Sequence, residues 1–150
     1  LKIMETPSPS PSPASAREPL VALRKELLVL HRELIGSERI VFERSAGTIP
    51  SAAAFLQLLA HDPWFEWLRP LSQHIAAIDA ALADKKEPLT AEKRRALLLE
   101  SRALLTPDEH GDGFAKTYFD VLQRDPHVMV THIEVRRLLA SLIGGKGEIS

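Results

Sequence analysis

Cysteine is absent from the chain. That excludes disulfides and thiolate metal sites, though it does not fix the compartment. No apolar run reaches the ~18 residues that a membrane span needs. The opening Leu1-Lys2-Ile3-Met4 lacks the apolar core of a signal peptide, and Met4 is a candidate start residue. Neither charge sign is in excess: the net charge is −1, whereas a dedicated nucleic-acid binder carries a basic surplus. The basic clusters Lys93-Arg94-Arg95 and Arg136-Arg137 lie in helical patterns with acids nearby and read as solvated faces. The sequence therefore points to a cytoplasmic protein with no nucleic-acid or membrane partner.

Catalytic patterns are missing too. The Glu-x-x-His pairs of di-iron bundles and the His-Glu-x-x-His of zinc proteases do not occur. No local Ser-His-acid or Cys-His arrangement stands out. No strand is evident, so no phosphate-cradling Gly-rich loop follows one. A phosphotransfer histidine at His31 would want Lys and Gly three and four places on, where Leu34 and Ile35 stand. The run Asp108-Glu109-His110-Gly111-Asp112-Gly113 starts like a calcium loop. Its third position is His110, however, and Phe119 occupies the twelfth, where a bidentate Glu is needed. A capped acidic loop opening a helix accounts for it better. The expectation is a protein that is not an enzyme.

What is present is helical. The chain has 150 residues, 45% of them hydrophobic, enough for one globular domain with a real core. The stretch Leu20 to Phe42 organises it. Leu20, Leu27, Leu34 and Val41 form an apolar row at seven-residue spacing, widened by Leu23 and Leu30. Val21, Leu28, Ile35 and Phe42 form a second row. A polar lane, Arg24, His31 and Glu38, runs between them near the middle of the apolar face. Such a lane either fills a groove between neighbouring helices, with long side chains reaching water, or lines an internal site.

Residues 1–16 read as a disordered Pro/Ser-rich tail, because alternating Pro and Ser cannot bury a core. Residues 17–143 read as a single helical-bundle domain, and 144–150 as a flexible C-terminal tail. The first helix should start near Arg17 to Pro19 and end near Ser45 to Gly47, with Gly47 as a left-handed cap. Gly36 is read as a bend or a close crossing. Further helices should follow Ser51, Asp62-Pro63, Thr90 and Asp125-Pro126, each a cap signal, and one should begin near Phe114. Phe55 to Pro63 (FLQLLAHDP) and Tyr118 to Pro126 (YFDVLQRDP) share the frame of helix, Asp-Pro, new helix. Trp64 and Trp67 are expected together at the aromatic heart of the core.

The fold class predicted is all-α, a bundle of about five or six helices with a long central N-terminal helix. For function, one reading is a non-enzymatic helical interaction or regulatory protein, with a protein partner or a second copy. The other is a ligand-, metal- or haem-binding bundle. It would use the inward-facing histidines His31 and His132, with His74, Glu38 and Arg24 as further binding residues. A transition metal on His31 and His132 is the form in which a cofactor would enter; otherwise none is expected.

Overall fold

A computed structural model describes residues 13–144, with side chains from residue 17 onward. The Pro/Ser-rich run through Ser12 and the tail from Gly145 lie outside the described residues. All regular structure among the described residues is helical: α1 (Pro13–Ala46), α2 (Ala52–His61), a 3₁₀ turn (Pro63–Leu68), α3 (Arg69–Ala83), α4 (Ala91–Leu104), α5 (Gly113–Arg124) and α6 (Pro126–Ile143). At 1.5 Å per residue α1 is about 50 Å long. It packs against α3, α4, α6 and the 3₁₀ turn, so it is central as expected. No described helix is long and apolar enough to cross a membrane.

Helix α1 begins at Pro13, upstream of the expected start, and Pro19 lies inside it rather than at its first turn. Gly47 ends it with φ +90°, its N–H donating to the Glu43 carbonyl at 3.0 Å. Gly36 marks no close crossing: a side chain there would meet nothing within 4 Å.

The expected faces of α1 need correction. Leu20, Leu23, Leu27, Leu30 and Leu34 are fully buried, but the second apolar row is not. Val21 is 49% exposed and Leu28 37%, while Ile35 and Phe42 are half-buried against the core. The cause is helical pitch. Seven residues at ~100° each fall about 20° short of two turns, so a row spaced by seven winds around the helix. The Val21 row winds inward. The row Leu23, Leu30, Ser37, Arg44 winds outward: its first three members are buried and Arg44 is exposed. The polar lane winds inward as well. It starts at the edge of the apolar face, not in the middle, and reaches the core only at Glu38.

The corners follow local chemistry. Asp62 accepts from the Trp64 N–H at 2.8 Å, and Asp125 accepts from His127 N–H at 3.0 Å and Val128 N–H at 3.3 Å. In both places Pro occupies the start of the new helix, where its missing N–H is no loss. The repeated Asp-Pro frame is thus one corner used twice. Ser51 and Thr90 cap α2 and α4 in the expected way. Asp112 differs: it holds the cap position of α5 without a side-chain cap bond.

Aromatic packing also departs from expectation. A 3₁₀ turn repeats every three residues, so Phe65 and Leu68 stack on its inner side. Trp64 is left 38% exposed, its ring meeting Phe42 edge-on at 5.5 Å. Trp67 is half-buried and starts a chain of ring contacts through Phe114 and Tyr118 to His132.

Leu27→Ala and Leu28→Ala, adjacent in sequence, separate these accounts in urea unfolding. Removing the buried Leu27 side chain should cost about 2–5 kcal/mol. Removing Leu28 should change stability by about 0.5 kcal/mol or less.

Candidate functional site

The polar lane of α1 resolves into three separate environments. At its inner end the Glu38 side chain is 7% exposed. Its Oε1 accepts from the indole N–H of Trp67 at 2.9 Å, and its Oε2 pairs with the Arg124 guanidinium. Arg124 also donates to the Ser37 hydroxyl at 3.3 Å. One carboxylate therefore ties α1 to the 3₁₀ turn and to the end of α5. A buried charge needs such partners, since desolvation without them costs several kcal/mol. Both Glu38 oxygens are engaged within the protein, so it acts as a fastener between these elements.

At the outer end Arg24 pairs with Asp79 of α3. Their side chains are 41% and 45% exposed, so solvent screens the pair. Pairs of this kind contribute about 0–1 kcal/mol.

His31 lies between these ends and is half-buried. It has no hydrogen-bond partner among the described residues. It lines a cleft of about 310 Å³. The apolar walls are Ile35, Leu56 and Leu59, with Phe65 and Leu68 from the 3₁₀ turn. Glu66, Arg69 and Ser72 supply the polar edge. Glu66 and Arg69 stand 3.8 Å apart and are both well exposed.

The other two histidines are engaged elsewhere. His74 on α3 meets the hydroxyl of the fully buried Ser101 on α4 at 2.6 Å. Ser101 gives its one proton to the Leu97 carbonyl at 2.8 Å, so the His74 Nε2–H must donate. His132 Nδ1 lies 2.6 Å from the hydroxyl of the fully buried Tyr118. Among the described residues Tyr118 has no other acceptor, so its hydroxyl donates to Nδ1 of a neutral His132, which places the ring proton on Nε2.

The expected convergence of histidines is therefore not formed. His132 is not part of the cleft that His31 lines, and His74 bonds toward α4. Arg24 and Glu38 point to unrelated partners. Among the described residues no group of three or more His, Cys, Asp or Glu is placed to hold a metal ion. The structure also adds residues that the sequence did not single out: Arg124 and Trp67 on Glu38, Ser101 on His74, Tyr118 on His132, and the leucines of the cleft. Nothing local marks these partners, because each lies on a different element from the residue it serves.

Burial lowers the pKa of His31. Burial also lowers that of His74, against the opposing charge of Glu100. For His132 the lowering comes from burial and then from the nearby Arg136 cation. Burial pushes the Tyr118 hydroxyl well above its ordinary value.

Comparison with protein-family models, with curated proteins and with solved structures gives no match for this chain. The functional reading rests on its own residues.

Two outcomes follow from these contacts. Glu38→Ala should destabilise the fold by about 2–3 kcal/mol in urea unfolding, since it strands the Trp67 indole and leaves the Arg124 cation partly buried. Glu38→Gln, which retains an acceptor for the indole, should cost less. A cost for Glu38→Ala no greater than for Arg24→Ala would contradict the fastener role. The second outcome concerns pH. All three imidazoles titrate near 6.5 when unfolded and lower when folded. Protonation then favours the unfolded chain. Stability should be full above about pH 6.5 and fall as pH drops from there through the folded values. The urea midpoint at pH 5.5 should lie below that at pH 7.5; equal midpoints would contradict it.

Proposed function

We propose that this chain is a non-enzymatic helical interaction module. Its recognition surface is the outer flank of α1, and its partner is an amphipathic helix with acidic flanks from another protein. One observation carries the reading. The exposed apolar pair Val21 and Leu28 lies beside the exposed cations Lys25 and Arg32. Both pairs are spaced by seven residues, so they form parallel lanes along the helix. Lys25 and Arg32 make no ion pair among the described residues. A helix laid along α1 would cover the apolar lane, and acids on its flank would meet the cations.

Apolar residues exposed on a helix beside unpaired charge of one sign are the usual composition of such a surface. Glu26 and Glu33 lie half-buried on the other flank of α1, and the exposed Glu18 begins the lane, so the cations are concentrated at Lys25 and Arg32. That concentration sets the preferred charge of the partner. A cytoplasmic location is part of the same proposal.

The test uses two synthetic three-heptad peptides with the same leucine row, one flanked by Glu and one by Lys. The Glu peptide should bind the full chain at least tenfold more tightly than the Lys peptide, a difference of about 1.4 kcal/mol or more. Its affinity should fall with added salt. Leu28→Glu and the Lys25→Glu/Arg32→Glu double variant should each weaken it about tenfold, with the circular dichroism unchanged. Equal binding of both peptides would contradict the reading. A concentration-dependent dimer abolished by Leu28→Glu would assign the surface to a second copy. Binding to anionic vesicles but not to the peptides would assign it to a membrane surface.

A further inference from the structure

We infer that the cleft between α1, α2 and the 3₁₀ turn is a binding site for an uncharged amphiphile, a small molecule with an apolar body and one hydroxyl or amide group that hydrogen-bonds to His31. This is separate from helix docking on α1 and does not depend on it.

The size fits first. About 310 Å³ lies at the lower end of the range for small-molecule sites, roughly the space of ten waters. The walls fit next. Ile35, Leu59, Phe65 and Leu68 give a continuous apolar lining, and Leu56 stands at the cleft with 65% of its surface in solvent. A ligand seated there would take that leucine out of water, which is the driving force for binding at an apolar site.

His31 supplies the specificity. Of the three half-buried histidines it is the one that lines this cleft, and among the described residues neither of its ring nitrogens has a hydrogen-bond partner. A neutral imidazole offers one donor and one acceptor, which a hydroxyl or amide can meet. The burial that holds His31 toward its neutral form works the same way.

The charge of the ligand is read from the rim. Glu66 and Arg69 stand 3.8 Å apart with opposite sign, so the mouth presents no net charge to attract an ionic head group. Ser72 donates its proton to the Arg69 carbonyl at 3.0 Å, leaving the hydroxyl as an acceptor only. An anion would meet Glu66 and the Ser72 oxygen, and a cation would meet Arg69. Neither finds an unpaired opposite charge.

The experiment is calorimetric titration of the full chain at pH 7.5 with 1-octanol, octanoate and octylammonium. Octanol should bind saturably at one site, at least fivefold more tightly than either ion. His31→Leu keeps the apolar volume and should lose that preference. Ala60→Trp substitutes an exposed residue of the lining, so it should fill the cleft and abolish binding while leaving the fold intact by circular dichroism. The ring nitrogen resonances of His31 should shift with octanol, and those of His74 and His132 should not. Non-saturable uptake, or uptake indifferent to Ala60→Trp, would overturn the proposal. So would octanoate binding as tightly as octanol. If the chain ignored octanol but lost the acidic helical peptide in Ala60→Trp, the cleft would belong to the protein partner and the proposal would fail.

Discussion

A straight α-helix falls about 20° short of two full turns in every seven residues. In a short helix that shortfall is invisible. Over α1 it accumulates to about 60° across three heptads, enough to carry a row of side chains from solvent to core. The row Val21, Leu28, Ile35, Phe42 makes that passage in one direction, and Leu23, Leu30, Ser37, Arg44 make it in the other. Residue chemistry matches position along each: Ser37 and Arg44 appear where their row leaves the leucine core. The polar lane obeys the same rule. Arg24 is a screened surface pair, His31 lines a cleft, and Glu38 is a buried fastener.

The winding divides α1 into regions with different roles. Its C-terminal half is locked to the 3₁₀ turn and α5 by the Glu38 carboxylate, with the Trp67 and Arg124 contacts satisfying both oxygens. Its N-terminal half keeps one flank in water, where Val21 and Leu28 lie beside Lys25 and Arg32. The cleft opens where the apolar row passes from one regime to the other, at Ile35. Both the proposed docking surface and the proposed ligand site arise from a helix too long for one face to stay buried.

Much of the fold was legible because its signals are local. Asp62-Pro63 and Asp125-Pro126 carry cap and first-turn residue in adjacent positions, and both corners form as read. Gly47 adopts the left-handed conformation that its position implied. The Leu20-Leu27-Leu34 row is fully buried. The lane between the rows reads as central because spacing by seven looks constant in sequence while it rotates in space. Trp64 differs for a related reason: a 3₁₀ turn keeps the i, i+3 pair Phe65 and Leu68 inward but drops the i, i+4 alignment of Trp64 with Leu68 that an α-helix would give. The site was less legible because its partners are remote. Trp67 is 29 residues from Glu38 and Arg124 is 86. The partners of His74 and His132, Ser101 and Tyr118, lie on other helices, so an inward-facing histidine and a free one look alike in the sequence.

The absence of cysteine permits a direct test of the winding. Single substitutions Val21→Cys, Leu28→Cys, Ile35→Cys and Phe42→Cys would be labelled under native conditions with a maleimide, alongside Leu30→Cys, Ser37→Cys and Arg44→Cys. Labelling rates should fall along the first series and rise along the second. Level rates within each series would mean that seven-spaced residues of α1 keep a constant exposure, and the account of the lane, the cleft and the exposed flank would fail together.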